Sequence, residues 1–285
     1  MLDFYRTDSP WTDPGTQAGM LEDIPDDIGA IVKSVQGVLI HGMLLWLYEL
    51  TPSEAQDNGY KVRRTEDLLQ RIKSLENTPL GIHRVKEKRL VVNCRQYAVL
   101  TCSILRHKGI PARVRAGYAL YTWRGKYENH WICEYWSRED QRWVQVDAQI
   151  DDIQRELMHI SFDTLDMPQD KFVTAGEGWR GYREGKISVE DFGLGGKEGW
   201  NAMGWEMVMP NVTCDFMALN KMELLPWDVN PYWEKKQAEM TPEDITLIDQ
   251  AGSLACQVDN RWAEMRKFWE DHPALRMPED FRDKE

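Results

Sequence analysis

The chain has no excess of positive charge. Its 285 residues include 35 Lys and Arg against 47 Asp and Glu, a formal charge of -12. A duplex-binding surface needs clustered cations to displace counterions, so nucleic acid is excluded as an expected partner. The chain also lacks any CxxC pair. Its cysteines, Cys94, Cys102, Cys133, Cys214 and Cys256, are odd in number and widely spaced. That excludes a zinc ribbon or a thioredoxin-type redox pair, and fits reduced thiols in a cytoplasmic protein. The opening MLDFYRTDSPWTD carries acids and aromatics where a secretory signal needs a basic start and an apolar run. The longest apolar stretch, Gly37 to Leu50, is interrupted by His41 and Glu49. It is too short to span a bilayer and reads as a buried helix, so no membrane association is expected. Internal repeats and low-complexity tracts are missing too.

What remains is a globular composition, 42% hydrophobic and 29% charged. A chain of this length can bury a core without disulfides or structural metals. Residues 1–25 hold Pro10, Pro14, Gly15, Gly19 and Pro25 among many acids, which predicts an N-terminal arm. From Asp26 to Leu50 apolar residues recur in steps of three and four, predicting a helix that Asp26 or Asp27 can cap. A second helix is predicted over Leu68 to Leu75. Cys94, Ala98, Cys102 and Leu105 then fall one per helical turn, and Gly109 and Pro111 end that helix. From Arg113 the period changes to two, which predicts a strand with Arg113 and Arg115 on a solvated face. His130 to Trp136 and Arg142 to Asp147 read as two further strands joined by a polar turn. Beyond Ala148, Phe172–Arg183 and Asp244–Trp269 read as helical, and Gly193 to Gly199 as a loop. A helix followed by antiparallel strands is an α+β arrangement.

One constellation carries chemistry. A thiol attacks a carbonyl as the thiolate, and both a helix N-terminus and a nearby imidazole favour that anion. Cys94 stands where the helical period begins. His130 heads a strand, and Asp147 ends the next one. A carboxylate there can fix the imidazole tautomer that faces the thiol. Cys102 and Cys133 read as core packing, and His41 as a satisfied core residue. Eleven of the thirteen tryptophans follow residue 120 and read mainly as core. Trp131, beside His130, is the candidate substrate-binding wall.

The run Asn93-Cys94-Arg95-Gln96-Tyr97-Ala98, continuing through Leu105 to Arg113 and Gly117-Tyr118, resembles the cysteine segment of the transglutaminase-like superfamily. His130-Trp131 and Trp143-Val144-Gln145-Val146-Asp147 resemble its histidine and aspartate segments. Thirty-six residues separate Cys94 from His130, and seventeen separate His130 from Asp147. The resemblance covers roughly residues 60 to 150. It implies a papain-like α+β core whose nucleophile helix packs on an antiparallel sheet, with helical additions at both ends. It also implies a Cys94–His130–Asp147 triad that forms a thioester with an acyl donor. The substrate would be a peptide, a protein or a small amide, and no cofactor is called for. Ala175 to Arg180 and Leu219 to Asp228 are similar to the tail of a bacterial subgroup of the superfamily. The chain departs from the family pattern at Val92-Asn93, where a glycine is common, and at Gln96, where an acid or Asn is common.

These readings divide the chain into an arm (1–25), a transglutaminase-like core with leading helices (26–150) and a mixed extension (151–285) free to cover the active site. A tetrahedral intermediate needs two donors. The Cys94 backbone N–H is one, and Trp46, Asn58 and Gln70 are candidates for the second. The leading function is cysteine-dependent hydrolysis of an amide or peptide, or acyl transfer to an amine. The alternative is a non-catalytic module that binds a protein partner. A metal site on Cys94, His130 and Asp147 ranks third.

Overall fold

The computed structural model describes residues 1–51, 58–122, 126–196, 199–278 and 281. The chain forms two compact units. One comprises 2–115 and 131–169; the other comprises residue 1, 116–130 and 170–285.

The first unit opens with α1 (Leu2–Arg6) and a 3-10 turn over Gly15–Met20. Tyr5, Trp11, Leu21 and Ile24 are buried, so the segment expected as an arm is packed down along its length. Trp11 accepts at its carbonyl from the Thr65 backbone N–H, and Thr16 donates to Glu66.

Helix α2 (Ile28–Val38) is capped by Asp27, whose carboxylate accepts from the Ala30 N–H at 2.8 Å. It buries Ile31, Val32, Val35 and Val38. The helix predicted to reach Leu50 stops at Val38. Leu39–His41 becomes strand β1, and Gly42–Tyr48 a 3-10 turn. A continuous apolar run cannot separate buried helix from buried strand. The decision lies in tertiary pairing: β1 runs parallel to β2 (Leu90–Val92), with Ile40 opposite Val91. Around that pair Ile40, Leu44, Leu45, Tyr48 and Val91 form an apolar cluster.

Helix α3 spans Thr65–Leu75, close to the prediction, and α4 spans Cys94–His107. Helix α4 ends in a Schellman motif. Ile110 N–H reaches Leu105 O at 2.9 Å, Gly109 N–H reaches Arg106 O at 2.8 Å, and Gly109 takes φ +72°. Strand β3 (Ala112–Ala119) is buried at every position. The solvated face predicted for it is therefore absent. Arg113 and Arg115 are both buried and meet the carboxylate of buried Glu134 at 2.6 and 3.4 Å. The Arg113 guanidinium also lies 4.0 Å from the Trp143 ring centroid. Alternation alone misleads here because the arginines are neutralised and stacked rather than hydrated.

Strand β4 (Tyr127–Ser137) pairs antiparallel with β5 (Arg142–Val146), Cys133 opposite Val146. Helix α4 lies against this ladder, with the Cys102 thiol beside Cys133. Helix α5 (Asp152–Leu157), capped by Asp151, completes the unit.

The second unit holds the remaining parts of β3 and β4. Gly117–Ala119 of β3 pair antiparallel with β6 (Phe172–Thr174). Thr174 then caps α6 (Ala175–Arg183) in a capping box with Glu177, so the helix predicted from Phe172 begins three residues later. The glycine-rich stretch read as a loop contains most of β7 (Phe192–Gly196) and the first residue of β8 (Gly199–Met203), which pair antiparallel. Its glycines carry no side-chain alternation, so no period was visible. Backbone pairing of Phe192 with Tyr127 makes the strand. That β4–β7 pair is parallel, which departs from a wholly antiparallel sheet.

Helix α7 (Trp205–Leu219) turns buried polar groups toward β3. Asp215 accepts the Ala116 N–H at 3.0 Å, and Asn211 donates to Gly117 O at 3.1 Å. The helical stretch predicted over Asp244–Trp269 is two helices, α8 (Pro242–Cys256) and α9 (Val258–Asp271), separated at Gln257. Among the described residues no helix is long and apolar enough to cross a membrane. The α+β class expected from the sequence is the class the chain adopts.

Candidate active site

Cys94 is the first residue of α4, directly after β2 and Asn93. Three features of the local sequence put it there. The β-branched pair Val91-Val92 continues the ladder with β1. Asn93 leaves that ladder with extended backbone and caps the helix, its side-chain oxygen accepting from Arg95 N–H at 2.9 Å. Gln96 closes the capping box by accepting the Asn93 N–H at 3.2 Å. Asn93→Ala is expected to lower stability by about 1 kcal/mol in denaturant unfolding, since it strips the helix of its side-chain cap.

The Gln96 side chain does more than cap. Its amide N–H groups donate to the carbonyls of Tyr60 and Val62, both at 3.1 Å, and lie 3.3 Å from that of Gly59. A carboxylate at this position could accept the Asn93 N–H but could donate to none of these carbonyls. The absence of an acid at Gln96 thus has a structural reason in a buried group. Arg95 adds bonds to Val62 O at 3.1 Å and Arg63 O at 2.7 Å. Gly59 is required for the close approach: a Cβ there would stand 2.1 Å from Val91 O. The 58–63 segment is therefore clamped against β2 and the first turn of α4. The sequence did not signal these residues, because each bond goes to a backbone carbonyl and leaves no residue-type pattern. Cys94 itself is 6% exposed.

Asp147 follows β5 in the same unit and is 1% exposed. Its backbone N–H donates to Thr164 O, and its Oδ1 accepts the Gln149 N–H at 2.9 Å. From Gln149 a buried polar chain continues. Gln149 Nε2 reaches Gln154 Oε1 at 3.2 Å, and Gln154 Nε2 reaches the Tyr48 hydroxyl at 3.0 Å. The Tyr48 hydroxyl donates to Asp151 at 2.6 Å. Burial, then the Asp151 charge, push the Tyr48 phenol far above its usual range, so it stays a donor.

His130 lies in β4, in the second unit by contact grouping, and is 6% exposed. Its ring meets Tyr121 edge-on, with centroids 6.1 Å apart. Val146 is opposite Cys133 in the β4–β5 ladder.

Trp131 is 1% exposed, and its indole nitrogen has no hydrogen-bond partner among the described residues. Of the proposed second oxyanion donors, Trp46 is exposed on the 3-10 turn and Gln70 is exposed on α3. The Asn58 side chain lies outside the described residues. Cys102 and Cys133 are fully buried, as read from the sequence, and burial pushes the Cys133 thiol well up. His41 is buried and caps the 3-10 turn through Nδ1, which accepts from Met43 N–H. Among the described residues no group of three or more His, Cys, Asp or Glu side chains is arranged to hold a metal.

Residues 52–148 match the family model of the transglutaminase-like superfamily. A crystal structure described as a "putative cysteine protease" from Cytophaga hutchinsonii aligns at 15% identity with a TM-score of 0.36. The alignment covers 61% of this chain and 45% of that one, so the chain spans less than half the neighbour's length. No curated protein sequence matches the chain significantly. The matched segment contains all three residues singled out from the sequence. Residues 52–148 of this chain are thus similar to the transglutaminase-like superfamily.

Proposed function

We propose that the protein is a cysteine-dependent enzyme acting on an amide or peptide carbonyl, with Cys94 as nucleophile, His130 as base and Asp147 as the group that orients His130. The family match supports a cysteine-dependent enzyme in general. The observation that carries the finer reading is Cys94 at the first position of a buried, side-chain-capped helix within the matched segment. At that position the backbone N–H groups of the first turn have no intrahelical acceptor. With the Arg95 N–H taken by Asn93, the Cys94 N–H is the one offered to the developing negative charge of a tetrahedral intermediate.

The steps follow ordinary acyl transfer. His130 takes the Cys94 proton, and the sulfur attacks the acyl carbon. The tetrahedral intermediate collapses to a thioester as the leaving amine takes the proton from His130. Water or a second amine then attacks the thioester, passing its proton to His130, and the thiol is restored. Asp147, held by the Gln149 N–H, keeps one imidazole tautomer and stabilises the imidazolium. No cofactor enters these steps. Which acceptor reacts depends on how far water is excluded from the thioester.

The test is alkylation by iodoacetamide across pH, mapped by mass spectrometry. Cys256 is the most accessible of the five cysteines, so exposure alone favours labelling there. The expected result is that Cys94 labels about tenfold faster than Cys256, and that His130→Ala removes the advantage. If Cys94 labels no faster than Cys256 and His130→Ala changes nothing, the enzyme reading fails. The non-catalytic binding module then takes its place.

A further inference from the structure

A cavity lies wholly within the unit that contains 170–285, between the start of α7 and the segment 227–237. Its volume is about 500 Å³, within the range of small-ligand sites. Three tryptophans wall it: Trp205, Trp227 and Trp233. Two of them have their indole N–H groups committed. Trp205 donates to Lys235 O at 3.1 Å, and Trp233 donates to Ala274 O at 2.6 Å. These rings can offer a ligand only π surface and edge. Trp227 is 54% exposed, and no contact of its ring is described.

The charges at the cavity sort unequally. Lys235, though at the rim, is already neutralised. Its ammonium sits 2.8 Å from Asp244 and 3.8 Å from the Tyr232 ring centroid. Burial would raise the Asp244 carboxyl, but hydrogen bonds from Lys235 and Tyr232 outweigh it and hold the group at about 2, so this pairing persists at neutral pH. Glu206 and Glu234 also line the cavity. Both are exposed, and neither has an ion pair or side-chain hydrogen bond among the described residues. Lys236 is the one rim cation without an ion pair among those residues. The available charge is thus two carboxylates against one ammonium, beside aromatic faces that attract cations.

We propose that this cavity binds the cationic head of an alkylammonium ligand, with Trp205 and Trp227 supplying the aromatic faces and Glu206 and Glu234 the countercharge. None of the residues assigned to catalysis lines this cavity, and the proposal does not depend on that assignment. A neutral polar ligand such as a sugar would want indole N–H donors, and two of the three are spent on backbone carbonyls. An anion would meet two unpaired carboxylates.

The test is calorimetric titration of the intact chain with Nα-acetyl-lysine N-methylamide and, in parallel, with its Nε-acetylated neutral counterpart. Saturable binding of the cation at millimolar concentrations or below is expected, with affinity about tenfold weaker for the neutral analogue. Trp227→Ala should weaken the cation about fivefold or more, as should Glu206→Gln with Glu234→Gln. All three positions are exposed, so these variants should keep the parent melting temperature, and that is checked first. Equal binding of the neutral analogue, affinities unmoved by either variant, or no saturable binding would each overturn the proposal.

Discussion

Replacing Glu134 with glutamine is expected to destabilise the protein by about 3–5 kcal/mol at neutral pH. Its carboxylate is the countercharge for two buried guanidinium groups, with Arg113 Nε at 2.6 Å and Arg115 Nη1 at 3.4 Å. Gln145 donates to its other oxygen at 3.2 Å. Glutamine keeps the shape but removes the anion that both buried guanidinium groups face, which is the costly way to break such a cluster.

The same cluster sets an acid dependence. Burial alone would raise the Glu134 carboxyl, but the charges of Arg113 and Arg115, with hydrogen bonds from Arg113 and Gln145, outweigh it and hold the group at about 2. The folded value lies below the unfolded one, near 4.3. The unfolded chain therefore takes up protons first as pH falls. The contribution is complete above about pH 4.3 and is lost as pH drops toward about 2. Denaturant unfolding of parent and Glu134→Gln over that window should show the two stabilities converging. A loss below about 1 kcal/mol at neutral pH would mean that solvent reaches the arginines. Replacing all three residues with apolar side chains of similar volume should recover most of the loss, because no unpaired charge then remains.

The second large effect concerns chemistry. Cys94→Ala is expected to lower the turnover of an activated ester such as p-nitrophenyl acetate by on the order of 10³-fold. The parent should carry an acetyl adduct on Cys94 in a quenched sample, visible as a mass shift on the peptide that opens α4. Cys102→Ala supplies the control. That thiol is fully buried against Cys133 and takes no part in the proposed steps, so the rate per folded molecule should hold. Asp147→Asn separates orientation from bulk. An asparagine oxygen can still accept the Gln149 N–H that Asp147 Oδ1 accepts at 2.9 Å, so the fold should survive while the charge proposed to orient His130 is removed. Residual activity in Cys94→Ala close to the parent value would remove this residue from the reaction.

The sequence made the helix that Cys94 opens legible almost to the residue. Cys94, Ala98, Cys102 and Leu105 repeat at one per turn, and Gly109 stops the helix where a positive φ is needed. Both are local signals. The hydrophobic run at 37–50 was opaque for the opposite reason. Its conformation is decided by Leu90–Val92, some fifty residues away, which offers β1 a parallel partner. The two arginines of β3 misled because period-two alternation reports that faces differ, and says nothing about whether a polar face is wet. Glu134, nineteen and twenty-one residues further on, supplies the charge that permits their burial. The strand halves at Phe192–Gly196 and Gly199–Met203 were hidden by their own glycines. The clamp formed by Gln96 and Arg95 could not be foreseen, since backbone carbonyls are the same in every sequence.

The way β3 and β4 are shared between the two units bears on how this protein can be made and cut. The superfamily match ends at Ala148, yet residues 116–119 and 127–128 take their partners from much later in the chain. Ala116 and Gly117 wait for Asp215 and Asn211, while Tyr127 waits for Phe192. During synthesis from the N-terminus these strand segments emerge roughly fifty to one hundred residues before the groups that satisfy them. A gene fragment trimmed to the recognised family boundaries would leave an open, apolar strand edge of the kind that pairs with other chains. For this protein the unit of expression is the long chain, and the recognised core is a portion of a fold that is finished from outside it.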